Sequence, residues 1–359
     1  MGVPSIGVGI IGCGHVARAG HAPAYRELNV PLVACADVVP ERAERFAREF
    51  SVDHWYGNYR DLLDRNDVQA VSVTVPNRFH HPIVMEALAC GKHVLCEKPL
   101  AVTSKQAGEM VEAARQARRI LMVGFQSRFR IDAERLRMMV AEGDAGPIRF
   151  ARAGYVRHRG SGWGWYSHKD ISGGGALIDI GVHALDLACY IMGDFEPNSV
   201  NGKTARQFGR YRLAERREWK SADYEDGFDQ GDVFTVEDSA MALFHFSEGR
   251  TLFLEAAWAS NYVEPKDLYV DISGDQGGAH LFPLEWSEVR HGTVSTVKMD
   301  LAQNNATRAL LAKFLGDVAE GRDRAEINTG EEGYAIQRMI DGIYQSAAQG
   351  GATVIMPKG

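Results

Sequence analysis

The sequence predicts an α/β protein: a doubly wound, Rossmann-type parallel sheet at the N-terminus, followed by a second domain of strands and helices. Three observations predict it. Apolar runs of strand length alternate with helical patterns from Ile6 to Phe125, the order that gives a parallel sheet with helices on both faces. The first run enters Gly12-Cys13-Gly14-His15-Val16-Ala17, a G-x-G-x-x-A turn of the dinucleotide-binding kind. The chain of 359 residues exceeds one ordinary core, and the expected division is 1–125 for nucleotide binding and 126–359 for substrate and self-association.

Composition narrows the function classes. Hydrophobic residues make up 45% and charged residues 24%, a globular balance. A net charge of −7 disfavours nucleic acid as a partner. The five cysteines are odd in number and show no metal-ligand spacing, so no metal site is expected, and a reducing, cytoplasmic setting is. The start lacks a signal-peptide pattern, and no apolar run approaches membrane-spanning length, so no membrane is expected as a partner.

In the first strand–turn–helix, Gly12 permits the tight turn and Gly14 lets backbone approach a pyrophosphate. His15 and Val16 complete the loop whose N–H groups, with the helix dipole, favour an anion. The next strand, Leu32–Ala36, ends at Asp37, within the window of about 20 residues where a carboxylate meets an adenosine ribose. Both hydroxyls can donate to it and a 2′-phosphate would be repelled, so the cofactor is NAD rather than NADP. Asp37 also reads as the N-terminal carboxylate of helix Pro40–Phe50. Strands follow at Ala70–Val75, His93–Cys96 and Ile120–Phe125, with helices at His81–Cys90 and, capped by Thr103, up to Arg118. Pro76, Asn77, His80, Glu97, Lys98 and Gln126 all follow strand carboxyl ends, where ligands of such sheets bind.

Lys98 stands on a turn stiffened by Pro99. There the positive ring of NAD+ and partial burial should lower its pKa, making it a proton donor or acceptor. In Ser172–Gly193 the apolar residues Leu177, Ile180, Ala184, Leu187 and Ile191 recur at helical steps. Asp179, His183 and Asp186 recur on another face. The Asp179/His183 pair reads either as a buried fastening or as catalytic. The glycines Gly173–Gly175 let backbone pass close to something bulky.

The segments GIIGCGHVA, VPNRFHHPIVMEAL, GKHVLCEKPLA, GFQSRF and GGGALIDIGVHALDL together resemble the glucose–fructose oxidoreductase/inositol dehydrogenase (Gfo/Idh/MocA) family, in its order and across nearly the whole chain. The resemblance implies a Rossmann domain followed by an α+β domain with an open-faced, mostly antiparallel sheet. It places the family's catalytic lysine on Lys98, its aspartate and histidine on Asp179 and His183, and a cofactor-side glutamate on Glu97. It also implies hydride exchange between NAD(P) and a sugar, polyol or related substrate.

In the remaining chain, a helix is expected over Arg130–Ala141 and strands over Ile148–His158 and Ser199–Phe208. The loop between them carries Trp163, Trp165 and Tyr166, which read either as a sugar-stacking wall, with Trp163 and Tyr166 as contacts, or as core. Residues 210–232 read as a polar insertion. Ser239–Phe246 and Arg250–Ala257 form a hairpin around Glu248-Gly249, and further strands are expected at Asp267–Ser273, Ala279–Phe282 and Thr293–Met299. Helices Ala306–Glu320 and Glu331–Ala348 are expected to pack back on the body. A sheet with one apolar face needs a cover, so a homodimer or homotetramer through it is expected.

The function expected is that of an NAD-dependent oxidoreductase acting on a secondary hydroxyl or carbonyl of a sugar, cyclitol or polyol. His183 is the general base, Lys98 holds the reacting oxygen, and Asp179 orients His183 or grips a neighbouring hydroxyl. Two other readings use the same residues: NAD-assisted glycoside cleavage through 3-oxidation, and an NAD-sensing regulator without turnover.

Overall fold

The computed structural model describes residues 6–158, 164–207, 234–264 and 266–357. The described residues form two compact units. The first holds the chain up to Gln126 together with Asn305–Gln337. The second holds those between Ser127 and Asn304 and the chain from Arg338.

The first unit is a six-stranded parallel sheet of β1 (Val8–Ile11), β2 (Leu32–Ala36), β3 (His54–Tyr56), β4 (Ala70–Val73), β5 (His93–Cys96) and β6 (Leu121–Val123). Their order is β3-β2-β1-β4-β5-β6, so the chain reverses direction across the sheet between β1 and β4. The central strands are mostly apolar because helices cover both faces: Val8, Ile10, Val71, Val73, Val94 and Leu95 are all fully buried, and the buried hydroxyl of Ser72 on β4 is paired with Tyr25 Oη at 2.7 Å. The helices are α1 (Ala22–Glu27), α2 (Pro40–Phe50), α3 (Tyr59–Leu63), α4 (His80–Ala89) and α5 (Ser104–Ala117). Helix α5 is capped as expected: the Thr103 side chain accepts from Gln106 N at 3.3 Å.

The second unit begins with α6 (Ile131–Glu142), which ends at Gly143 in the left-handed region, φ +89°. Its sheet has nine strands: β7 (Ile148–Val156), β8 (Ser199–Ala205), β9 (Ser239–His245), β10 (Thr251–Ala257), β11 (Tyr269–Gly274), β12 (Gly277–Leu281), β13 (Glu285–Arg290), β14 (Thr293–Lys298) and β15 (Val354–Ile355). The order is β14-β13-β12-β11-β7-β10-β9-β8-β15. All pairs are antiparallel except β7 with β10. The short α7 (Lys169–Ser172) leads to α8 (Val182–Met192), which packs on β7, β10 and β11.

The segment Lys169–Met192 does reach the length and hydropathy of a membrane span, contrary to expectation, but 83% of its most apolar 18-residue window is buried inside the protein. Its apolar side chains are taken up by the core. Among the described residues, nothing fully covers the opposite sheet face. Phe150 on β7, Met241 and Leu243 on β9, and Phe253 on β10 share it and are 36–57% exposed.

Two helices close the chain. Helix α9 (Ala306–Ala319) is capped by Asn305 and packs on α1. Helix α10 (Gly330–Ala348) starts in the first unit and ends in the second. The loop between them seals the β6 edge: fully buried Asn328 donates to Val123 O and Phe125 O, both at 3.0 Å. Strands β3, β13 and β15 escape sequence reading because they are short or carry polar residues at most positions, leaving little period-two signal.

Candidate active site

The glycine turn is set by the strands beneath it. Gly12 has φ +96°, and a Cβ there would lie 2.7 Å from Thr74 O, so both its dihedral and its neighbour require glycine. Thr74 Oγ1 donates to Gly12 O at 2.7 Å, tying the turn to the end of β4. Gly14 differs: a Cβ there meets nothing within 4 Å. The turn therefore borders open space, as a pyrophosphate approaching backbone requires. His15 is exposed, Val16 half-buried, and Ala17 fully buried.

Asp37 stands at the carboxyl end of β2 and is 7% exposed. Its Oδ2 accepts from Cys13 N at 2.9 Å and its Oδ1 from Val39 N at 2.9 Å, with Arg42 Nη1 at 3.3 Å. The carboxylate thus ties the glycine turn to Val39, the residue that precedes α2, without capping the helix itself. Arg42 Nη1 also reaches Oδ2 at 3.5 Å, so four donor contacts already meet the carboxylate's roughly four lone-pair sites, and a ribose hydroxyl would have to replace the long Arg42 bonds.

Glu97, directly after β5, is the most constrained group of this unit. It is buried, and its Oε1 lies 2.9 Å from His21 Nε2 while its Oε2 accepts from Lys98 N at 3.2 Å. Gly124 makes room for it: a Cβ there would lie 2.8 Å from Glu97 Oε1. Burial pushes the Glu97 pKa up, but the bond and charge of His21, followed by Lys98, outweigh it, and the net direction is down. His21 is only 1% exposed, and its Nδ1 has no partner. It closes a π-turn, Ala17–His21, that directly follows the glycine turn. Such turns carry one extra residue and recur at functional sites.

Lys98 is half-buried beside Glu97. His80 is fully buried, with Nδ1 2.8 Å from Pro99 O and Nε2 2.9 Å from Val75 O. Burial holds its pKa below the usual histidine value, against the pull of these carbonyls and of Glu97. Its ring nitrogens are engaged by the chain itself, strapping the turn after Lys98 to the loop after β4. Pro76 opens that loop and Asn77 is buried in it. Gln126, after β6, has a buried Oε1 without a partner, an acceptor suited to a ligand's N–H or O–H.

The second unit carries Asp179 and His183. Asp179 lies in another π-turn, Leu177–Gly181, and His183 on the first turn of α8. From Ala176 to Met192 only Asp179, His183 and Tyr190 are not fully buried. Asp186, third in the polar line, is sealed by Arg128, whose Nε donates to Oδ2 at 3.0 Å; the two are 1% and 0% exposed. Asp179 Oδ2 accepts from Trp258 Nε1 at 2.9 Å. The bulky neighbours of the glycines are now identified. A Cβ on Gly174 would lie 1.9 Å from Tyr344 Oη, and one on Gly175 1.8 Å from Glu237 O. Glu237 Oε1 in turn accepts from Gly175 N at 2.9 Å, Leu177 N at 3.1 Å and Tyr344 Oη at 2.8 Å. Burial raises the Glu237 pKa despite these donors.

Tyr166 and Trp165 are 9% and 7% exposed, stack at 3.8 Å and pack with Trp258, Ile180 and Val236. Both belong to the core. Trp163 and the 210–232 insertion lie outside the described residues. Sequence reading missed His21, Glu237 and Trp258, because each reaches its partner across 60 or more residues. Among the described residues, no three His, Cys, Asp or Glu side chains gather to hold a metal.

Comparison with known proteins follows this geometry. Residues 6–125 match the GFO_IDH_MocA model, an oxidoreductase family with an NAD-binding Rossmann fold. Residues 133–280 match the GFO/IDH/MocA C-terminal domain. The chain is 35% identical over 347 residues to D-glucoside 3-dehydrogenase of Escherichia coli (strain K12), covering 96% of this chain and 95% of that one. It is 28% identical to levoglucosan dehydrogenase of Pseudarthrobacter phenanthrenivorans over 70% and 67% of the two chains. A levoglucosan dehydrogenase structure in complex with NADH and levoglucosan superposes with a TM-score of 0.83 at 25% identity, covering 98% of this chain and 100% of that one.

Proposed function

The chain belongs to the Gfo/Idh/MocA family of NAD-binding oxidoreductases, and from that premise we propose that it oxidises a secondary hydroxyl of a glucoside-type sugar. The observation that carries this reading is the buried helix of the second unit, which leaves Asp179 and His183 partly open where its apolar neighbours are sealed. On a helix otherwise packed into the core, these two ionisable groups keep the solvent access that proton transfer requires. The resemblance to D-glucoside 3-dehydrogenase supports the 3-hydroxyl as the reacting position.

Gly12, Gly14, His15 and Val16 hold the pyrophosphate, and Asp37 takes the adenosine ribose. Pro76, Asn77, Glu97 and Gln126 line the nicotinamide side, with His80 fixing the loops behind them. Bound NAD supplies the hydride acceptor. His183 takes the hydroxyl proton, a task for which imidazole is the usual side chain near neutrality. Lys98 donates a hydrogen bond to the same oxygen and stabilises developing alkoxide, while Asp179 orients His183 or the sugar. Asp37 favours NAD over NADP. The open face bearing Phe150, Met241, Leu243 and Phe253 fits a second copy of the chain. The five unbridged cysteines fit a reducing, cytoplasmic setting.

NADH absorbance with methyl glucosides and levoglucosan tests the reaction. Net NADH should form. Lys98→Met and His183→Asn should each lower kcat by about 100-fold or more with NAD affinity retained. Near wild-type turnover in either variant rejects its role. Glycoside cleavage without net NADH would transfer the site to the redox-assisted alternative, and NAD binding without any turnover would point to a sensor.

A further inference from the structure

We propose that Trp258 is a positioning residue that holds Asp179 in its working orientation, an inference that rests on the catalytic reading of Asp179. Trp258 directly follows β10 and is fully buried. Its backbone N–H donates to Asp238 O at 2.9 Å, which fixes the strand end. Its indole N–H donates to Asp179 Oδ2 at 2.9 Å. The ring is held on several sides by Trp165, Tyr166, Ala176, Ile180 and Val236, with Phe234 edge-on at 6.2 Å. An indole so confined has little freedom to turn, so its N–H is a donor aimed at one fixed point.

The backbone carrying Asp179 is brought to that point by a glycine. A Cβ on Gly181 would lie 2.8 Å from Ala256 Cβ, so any larger residue would push the π-turn off β10. Gly181 closes the turn that contains Asp179, and Ala256 lies two residues before Trp258. The juxtaposition of Asp179 and Trp258 is therefore built twice, once by close backbone approach and once by aromatic packing. Tryptophan is suited to the task because indole donates only. It can never compete with the carboxylate as an acceptor, and it satisfies one oxygen while leaving acceptor capacity on the carboxylate. The guanidinium of Arg157 also feels the Asp179 charge, but a long flexible side chain supplies charge rather than direction.

The test removes the N–H and keeps the ring. Trp258→Phe, and site-specific replacement of Trp258 by its benzothienyl analogue, in which sulfur replaces N–H, are assayed with NAD and methyl β-D-glucoside. Loss of one hydrogen bond to a charged group should lower kcat about tenfold, with NAD affinity and thermal midpoint unchanged in the benzothienyl protein. In an Asp179→Ala background, which has no acceptor for the indole, the same replacement should cost nothing further. Wild-type kcat in the benzothienyl protein overturns the proposal. So does a full additional loss in the Asp179→Ala background, which would mean that Trp258 acts by another route. Full activity of Asp179→Ala alone would instead reject the catalytic reading of Asp179, so the two failures are distinguishable.

Discussion

Two glycine clusters open the two helices of interest, and they use the missing side chain for opposite ends. At Gly14 a Cβ would meet nothing within 4 Å, so the absence of a side chain clears space for something outside the chain. At Gly174 and Gly175 a Cβ would strike Tyr344 Oη at 1.9 Å and Glu237 O at 1.8 Å, so the absence clears space for the chain itself. The first glycine leaves room beside the backbone, the room that the proposed cofactor site needs. The second pair serves packing: it admits Tyr344 and the backbone of Glu237, whose half-buried carboxylate accepts from Gly175 N and Leu177 N ahead of the helix carrying His183. Glycine in a motif therefore does not by itself indicate a ligand; what stands opposite the absent Cβ decides.

The contrast can be broken most directly by adding that Cβ. Gly174→Ala should cost about 3 kcal/mol of stability, because overpacking a closed site forces backbone to move; urea denaturation measures it. Gly14→Ala should leave the urea midpoint unchanged and weaken NAD at least about tenfold, or about 1.4 kcal/mol, as titration of the cofactor would show. A reversed pattern would refute the distinction. Tyr344→Phe sharpens it. Loss of the bond to Glu237 should cost about 1 to 1.5 kcal/mol. The cost should shrink in the Gly174→Ala protein, where removal of the hydroxyl also relieves the clash, a non-additivity that a double-mutant cycle resolves.

The smallest effect is electrostatic and belongs to the nucleotide unit. His93 accepts from Ile120 N at 3.2 Å through Nδ1, which requires an unprotonated nitrogen. Burial, with a lesser push from Arg119, brings its pKa down to about 4. The unfolded chain takes up this proton first, near the ordinary value of about 6.5. Stability from His93 is therefore complete above that value and is lost as pH falls toward 4. Partial exposure limits the loss to about 1 kcal/mol. Denaturation of His93→Gln at neutral and mildly acid pH should show a shallower pH dependence than the parent; equal slopes would remove His93 from the account.

Much of the site was legible in the chain because its demands are local. The glycine turn, the Thr103 cap, the Gly143 stop and the Lys98–Pro99 turn each rest on conformational limits of a few adjacent residues. The polar line Asp179, His183, Asp186 was legible as a periodicity, but its members differ in ways no spacing reveals. Asp186 is neutralised by Arg128, 58 residues away, while Asp179 and His183 stay partly open. Tyr166 illustrates the same limit: an aromatic loop residue reads equally as wall or core until its neighbours are known.

By itself the sequence determined the strand–helix alternation, the glycine turn after β1, the place of Asp37 at the end of β2 and the helical spacing of Asp179 and His183. These follow from hydrophobic periodicity and backbone sterics, which act over a few residues. Only the tertiary structure decided that His21 restrains Glu97, that His80 straps two loops together, and that Glu237 and Trp258 fix the segment bearing Asp179. Those choices depend on which buried polar atoms find each other when distant segments lose their water, and no local rule encodes that pairing.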